Sequence, residues 1–413
     1  MRARVDPRPD PWDPSPIRHL GAIVVSLGTL AGGEAWAEQT RTTTTAAPAL
    51  LFSYKLGKGV ALEDPGHRFK LNIKTRLQVR YTGESGDEGA KSQHGVAIRR
   101  ARLDVGGYIA SPSIRYRMQL AFSPADVGLT DAGAQRRVPV LDGYIELKAA
   151  QALWVRAGQG KVPFNLERLA SSQESRMVDR SLVDGEFTLD RDVGVTVFSD
   201  APTDCGCFGY AAGVYAGEGH SPLGLADPEF LYLGRVEVRP FGKMNHRVFT
   251  DFERRSAPAL GLGGAVGYLQ GAHFQHGNRS GEFEDGVTED HMYWAADALF
   301  LWQGLSAQVE AVGRRVLGDA VDRDGFGVYG EVGYLFAALP VAAAGHVGVL
   351  VPGADDSALS KRREAGVGFQ YFLGAEDAHP TSTALRLGAD YFQRWVAGEA
   401  HVHQVRVQLE ATL

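Results

Sequence analysis

Apolar and polar residues alternate along most of the chain with a period of two. In the clearest segment, 68–82, the odd positions include Phe69, Leu71 and Tyr81, whereas the even positions are polar and mostly basic. Successive side chains of a β-strand point to opposite faces, so the pattern predicts a strand with one apolar and one polar face. The segment exceeds the ~9–11 residues that a tilted strand needs to cross a bilayer.

Fifteen further segments alternate, although less regularly. They are 97–109, 113–123, 140–148, 152–161, 192–200, 208–215, 230–241, 260–274, 291–302, 305–316, 325–336, 341–351, 364–373, 384–395 and 402–413. An even number of antiparallel strands, apolar outside and polar inside, is typical of an outer-membrane barrel. The predicted fold class is therefore all-β: a transmembrane antiparallel β-barrel of about 16 strands over residues 68–413. Residues 167–183 lack alternation and predict a long loop, a kind of segment that is usually functional.

Aromatic residues near the predicted strand ends fit the two girdles that mark the membrane interfaces of such barrels. The candidates are Trp154, Tyr232, Tyr293, Trp294, Trp302, Tyr334, Tyr371, Tyr391 and Trp395. The 51 glycines among 413 residues fit the tight bends of a barrel.

The N-terminus has the features of an export signal. An apolar run over 20–30 follows Arg18 and precedes Ala35-Trp36-Ala37, which matches the small-x-small cleavage pattern. We expect a signal peptide over 1–37 and a periplasmic lead segment over 38–67; a short buried segment is the alternative for the apolar run. Export permits disulfides. The only cysteines, Cys205 and Cys207, are two residues apart, which makes a bridge strained and a zinc site incomplete.

Charge placement is more informative than net charge, which is -6 and does not favour nucleic-acid binding. The polar faces of the first three predicted strands carry eight basic residues and one acidic residue, Asp104. In the later strands the numbers of basic and acidic residues are nearly equal. The eight are Lys70, Lys74, Arg76, Arg80, Arg100, Arg102, Arg115 and Arg117. A basic lumen wall concentrates counter-ions and favours anions. The alternative is that these charges pair across strands and only keep the pore wet.

Several short motifs follow one another along the first half of the chain. They are FKLNIKTRLQVRY from Phe69, Ile98-Arg99-Arg100-Ala101-Arg102-Leu103, Asp142-Gly143-Tyr144-Ile145-Glu146, Gly158-Gln159-Gly160-Lys161-Val162-Pro163-Phe164 with Leu166-Glu167-Arg168 and Ser171-Ser172, and Arg191-Asp192-Val193-Gly194-Val195. In this order they resemble the motifs of the phosphate-selective porin O and P family, and the first looks like that family's first barrel strand.

This resemblance implies a bacterial outer-membrane barrel of sixteen strands. It also implies a homotrimer that passes inorganic anions, phosphate or polyphosphate, through a constriction formed by inward loops, here around 161–190. By motif position, the resemblance implies that Arg99 and Arg100 belong to the basic periplasmic-side lining and that the constriction contains Asp142, Arg168, Ser171 and Ser172. Arg102 and Arg180 are further candidates for anion binding. Two departures weaken the case for high phosphate selectivity. Phosphate-specialised members have Tyr at the position of Arg102. They also have an arginine-rich inward loop, and this chain has only Arg254-Arg255 in a comparable region.

Arg99 conflicts with the simple alternation, which places it on the apolar face together with Ala97 and Ala101. Either a bulge turns its side chain inward, or Arg99 lies at the membrane interface.

Three functions compete at this stage. The first is a passive anion porin that needs no cofactor, and the second is a general-diffusion porin or a channel for other solutes. The third, a barrel enzyme, requires a nucleophile within reach of a base, and no motif supplies one around the twelve histidines. We therefore expect no enzyme activity. His273, His276 and His291 are spaced too loosely to indicate a metal site.

Overall fold

The computed structural model describes residues 50–86, 92–127, 139–199, 206–217, 219, 230–273, 277, 288–317, 324–354, 356, 359–373, 384–398 and 401–413. Its helices are α1 (Pro124–Val127), α2 (Leu166–Leu169) and α3 (Leu182–Phe187). Its strands are β1 (Leu51–Lys55), β2 (Gly59–Glu63), β3 (Phe69–Gly86), β4 (Gln93–Ile109), β5 (Ser111–Ala121), β6 (Val140–Ala150), β7 (Leu153–Lys161), β8 (Arg191–Phe198), β9 (Phe208–Tyr215), β10 (Leu231–Val238), β11 (Ala259–Ala272), β12 (Glu289–Trp302), β13 (Leu305–Leu317), β14 (Gly325–Leu335), β15 (Val341–Pro352), β16 (Arg362–Phe372), β17 (Leu385–Val396) and β18 (Val402–Thr412).

Strands β3 to β18 form a closed antiparallel barrel. Each strand pairs with the next along the chain, and β18 pairs with β3 from Thr412 opposite Arg76 to Val402 opposite Gly86. The prediction of a sixteen-stranded barrel is confirmed, and each predicted segment overlaps one of these strands.

A hairpin of β1 and β2, which the sequence pattern did not predict, completes the edge of β3. Strand β2 pairs with β3 from Val60 opposite Ile73 to Glu63 opposite Lys70, below the part of β3 that pairs with β18. At the junction, the backbone of Leu413 exchanges hydrogen bonds with Thr75. The lower edge of β3 is therefore covered by the hairpin.

The alternation predicted from the sequence separates the two faces of the wall. On β3, Leu77 is 45% exposed on the outside, whereas Gln78 is fully buried inside. Tyr232, Trp302 and Tyr371 are also exposed apolar side chains, as expected of girdle residues. Trp154 and Tyr293 do not fit the girdle prediction: both are buried, and the ring of Tyr293 packs edge-on against Phe164 inside the barrel.

The two ends of the barrel differ in the length of their connections. One end has tight turns, such as Gln303-Gly304 between β12 and β13, where both residues have positive φ as in a two-residue hairpin. Short turns face the periplasm in outer-membrane barrels, so we call this the periplasmic end. Residues 239–258, between β10 and β11, are an exception at this end, and we call them the periplasmic insert. Among the described residues, no helix has the length and apolar character needed to cross a membrane.

Candidate functional site

The segment between β7 and β8, residues 162–190, folds into the barrel and is here called the inward loop. Its backbone is held by carboxylates on the wall of β13 to β18. Glu310 accepts from the backbone N–H groups of Leu166 and Glu167. Farther along the loop, the backbone N–H groups of Val178 and Leu182 each donate at 2.8 Å, to Asp390 and Glu364 respectively. The acids of this wall are thus used to fix the loop.

Arg176 is the central side-chain anchor of the inward loop. Its guanidinium group donates to Glu331 at 3.1 Å, to Gln308 at 3.1 Å and to the carbonyl oxygen of Phe249 at 2.6 Å. Phe249 belongs to the periplasmic insert and packs with Leu166 and other buried apolar residues. One buried arginine therefore joins the loop, the wall and the insert.

Two residues predicted at the constriction are engaged within the inward loop itself. Arg168 donates to Asp184 at 2.5 Å and to Thr188 at 3.2 Å. Arg180 donates to the carbonyl oxygens of Glu167 and Ala170. Although both arginines line the cavity, much of their donor capacity holds the loop in shape.

A bulge resolves the orientation of Arg99. Gln78 of β3 lies opposite Arg100, and the next residue, Val79, lies opposite Ile98, so β4 contains one extra residue at this point. Ile98 faces outward, as does Leu77 opposite Ala101. Arg99 and Arg100 lie between these outward positions and both point into the lumen, where they contact the inward loop.

Both arginines contact the same carboxylate, that of Asp179 in the inward loop. Its oxygens lie 2.6 Å from Arg80, 3.3 Å from Arg99 and 3.4 Å from Arg100. Burial alone would raise the pKa of Asp179, but the guanidinium groups of Arg99, Arg80 and Arg100 hold it well below its usual range. We call these four residues the Asp179 cluster; three cations and one anion leave it a net charge of +2.

The remaining predicted basic residues of the lumen differ in how far they are paired. Arg102 forms a bidentate pair with Asp126, and Arg117 with Asp104. Arg76 donates to Glu410 at 2.7 Å and to the hydroxyl of Ser172 at 3.1 Å.

Among the predicted anion-binding and basic-stripe residues that the structure describes, two buried donors form no hydrogen bond: Nη2 of Arg76 and Nε of Arg100. These donors lie beside the cavity and can accommodate an anion.

Three residues of the predicted basic stripe do not line the cavity. Lys70 lies at the periplasmic mouth and pairs with Glu63 of the hairpin at 2.7 Å. Arg80 is covered by the inward loop, since it also donates to the carbonyl oxygen of Val178. Arg115 lies over the ring of Trp154, 3.9 Å from its centroid. In each case a partner engages the basic side chain away from the cavity lining.

Asp142, predicted at the constriction, is buried and positions arginines. It accepts from Arg191 at 2.7 Å and lies 3.8 Å from Arg117. Lys74, Ser171 and Ser172 line the cavity. Cys205 and His276 are outside the described residues, and His291 is buried with Nδ1 3.0 Å from the hydroxyl of Tyr293. The described residues contain no group of side chains suited to hold a metal ion.

The lumen cavity has a volume of about 1290 Å³ and a strongly basic lining. Sixteen lysines and arginines line it, against eight aspartates and glutamates. The excess of eight positive charges contrasts with the net charge of -6 for the whole chain. Low-dielectric walls concentrate such a field in the water between them.

Half of these sixteen cations were missed by the site prediction: Arg156, Lys161, Arg191, Arg235, Arg239, Lys243, Arg247 and Arg255. The alternation places Arg156 and Arg235 on inward faces. The site prediction leaves them out because the charges of the later strands are nearly balanced, as with Arg235 and Arg239 beside Glu237. Lys243 and Arg247 of the periplasmic insert lie outside every alternating segment, so no sequence pattern indicated them.

A closed sixteen-stranded barrel with an apolar exterior and a charged lumen narrowed by an inward loop defines an outer-membrane porin. The predicted location in the bacterial outer membrane is confirmed. Residues 69–224 match the family model described as phosphate-selective porin O and P, which confirms the resemblance found in the motifs.

Solved structures support the fold. The anion-selective porin from Comamonas acidovorans aligns with a TM-score of 0.54 and 13% identity over 83% of this chain and 99% of its own. A loop L8 deletion mutant of OmpT, an outer membrane protein of Vibrio cholerae, aligns with a TM-score of 0.53, 13% identity and the same coverage. The outer membrane channel DcaP of Acinetobacter baumannii has a TM-score of 0.52 and 12% identity, covering 83% and 97%. No curated protein sequence gives a significant match.

Proposed function

We propose that this porin passively conducts small anions, with phosphate or a related oxyanion as a ligand of the lumen. The observation that carries the proposal is the lining of the cavity, with sixteen basic residues against eight acidic ones. Rings of Arg and Lys select anions in pores. The guanidinium fork matches the oxygens of phosphate and carboxylate. The structural neighbour from Comamonas acidovorans is an anion-selective porin, which agrees with this proposal.

The proposed anion path follows the wall formed by β3, β4 and β5. Arg76, Arg100 and Arg102 lie on this wall, and the first two carry the unpartnered donors described above. Ser171 and Ser172 of the inward loop add hydroxyl groups to the cavity lining, and the hydroxyl of Ser172 accepts from Arg76. The conduction step needs no reaction and no cofactor. The homotrimer implied by the family resemblance stays a prediction.

Planar-bilayer recording tests the proposal directly. In a potassium chloride gradient, we expect single channels whose reversal potential reports a higher permeability for chloride than for potassium. Added inorganic phosphate should reduce the chloride current at millimolar concentration or below. Equal permeability for both ions would indicate the general-diffusion porin, and preference for potassium would refute anion conduction.

Asp179 should limit the affinity of the lumen for anions, because its carboxylate occupies three guanidinium groups. The substitution Asp179→Asn removes this internal anion, and we expect phosphate to block the chloride current at concentrations lower by roughly threefold or more. Glu186→Gln is the matched control: Glu186 is in the same loop and pairs with Arg362 at 2.7 Å. Equal block in the two variants would show that Asp179 does not compete with the permeating anion.

A further inference from the structure

The periplasmic insert contributes a second group of cations to the lumen. Arg239, Lys243 and Arg247 all line the cavity, next to Arg235 and Glu237 of β10. The insert is held in place by buried contacts: Phe249 packs against Leu166, Leu299 and Leu301. Its cations are therefore positioned by a folded segment.

The charges in this group do not balance. Arg235 lies 2.8 Å from Asp297 and 3.0 Å from Glu237. Glu237 also accepts from Arg239 at 2.6 Å and from Arg247 at 2.8 Å. Lys243 is exposed and forms no ion pair with the described residues. The group thus holds four cations and two carboxylates, and three of the cations pair with those carboxylates.

The neighbouring histidine adds no charge at neutral pH. His246 lies 3.2 Å from Asp297 and 3.9 Å from Glu237. Burial nevertheless lowers its pKa to about 4. The group of Arg235, Arg239, Lys243, Arg247, Glu237 and Asp297 therefore keeps a net charge of +2 at neutral pH.

Some donors of this group lack a partner. Nε and Nη1 of Arg239 and Nε of Arg247 are buried and form no hydrogen bond within the described residues. Arg239 itself is only 8% exposed. Leaving a buried donor unpaired is unfavourable, and each of these charged N–H groups can donate to an oxygen of an oxyanion.

We propose that Arg239, Lys243 and Arg247 form a second oxyanion site at the periplasmic end of the lumen, with Glu237 as its internal competitor. The ligand class is a small oxyanion such as inorganic phosphate. This inference rests on the proposed anion conduction.

The site is separate from the Asp179 cluster. Arg99 lies ten residues before the periplasmic end of β4, whereas Arg239 directly follows the last residue of β10 at that end. Ten strand residues correspond to roughly 33 Å of strand length. Two sites in series let an anion leave one site as the next anion enters the other.

Sided phosphate titration in planar bilayers tests the second site. The variants are Arg239→Gln combined with Arg247→Gln, Lys243→Gln alone, and Glu237→Gln. With phosphate added on the periplasmic side, we expect the half-blocking concentration to rise at least roughly threefold in the double variant and in Lys243→Gln. Glu237→Gln should lower it. Block from the extracellular side should change less in each case.

Two details make the titration conclusive. Arg315→Gln combined with Arg363→Gln is the charge-matched control, because both arginines are exposed and outside the cavity lining. The orientation of each channel is read from an impermeant thiol reagent acting on Ser85→Cys, at the extracellular end of β3.

The outcomes separate this inference from the proposed function. If the wild-type channel is anion-selective and blocked by phosphate, but the variants behave like the control, the second site is refuted and anion conduction stands. If the wild-type channel prefers potassium, both are refuted. Should the double variant fail to fold, Lys243→Gln decides the question alone, since it breaks no ion pair of the described structure.

Discussion

Replacing Arg99 and Arg100 together with glutamine is expected to lower the chloride-to-potassium permeability ratio on the order of tenfold. The two substitutions reduce the charge of the Asp179 cluster from +2 to zero, because only Arg80 then faces the carboxylate. A unit charge about 6 Å from a permeating ion contributes about 2–3 kcal/mol at an effective dielectric constant of ~20, before screening by salt. The ratio is obtained from reversal potentials in a salt gradient.

The matched control for this prediction is Arg315→Gln combined with Arg363→Gln, which removes the same charge outside the lumen. Raising the ionic strength should shrink the difference between the two double variants, since salt screens the lumen field. A permeability ratio that stays at the wild-type value after loss of Arg99 and Arg100 would show that ions do not pass near the Asp179 cluster.

Arg176→Ala should produce the second large effect, a wider channel with weaker anion preference. The substitution removes the link between the inward loop, Glu331 and the carbonyl oxygen of Phe249. Truncating one partner of a buried ion pair costs about 3–5 kcal/mol, and the loop is the part that can move, since the barrel strands are paired on both edges. We expect single-channel conductance to rise, with a smaller chloride preference in the same recordings.

Arg394→Ala controls for the loss of an ion pair from the same wall. Arg394 pairs with Glu364 at 3.3 Å and is itself partly exposed, so its removal leaves the contacts of Arg176 in place. Conductance in the Arg394→Ala channel should stay close to the wild-type value. If Arg176→Ala conducts like this control, the inward loop is held by its backbone contacts alone.

The sequence predicts the barrel well because one physical rule generates it. A strand between lipid and water must place apolar and polar side chains on opposite faces, and this requirement is visible locally, without knowledge of any partner. The hairpin of β1 and β2 escaped prediction because it does not cross the membrane. Its Leu51, Phe52 and Tyr54 are all exposed, so they show no contrast between faces.

The site is less predictable because its charges pair over long distances in sequence. On the polar faces of the first three predicted strands, the sequence shows one acidic residue, Asp104. In the folded chain, Glu410 of β18 and Asp179 of the inward loop also contact this wall. No local sequence pattern predicts such contacts. Arg168 illustrates the result: motif position places it at the constriction, and only the folded loop shows that Asp184 holds it.

The bulge in β4 has a further consequence for how such a pore can change. Because the extra residue is absorbed between Ile98 and Arg100, the strand on either side keeps its orientation toward lipid and water. Deleting Arg99 would remove one guanidinium group from the lumen, and each neighbouring side chain would keep facing lipid or water as before. Length variation at this position is therefore a route by which related channels can diverge in ionic preference while conserving their membrane-facing surface.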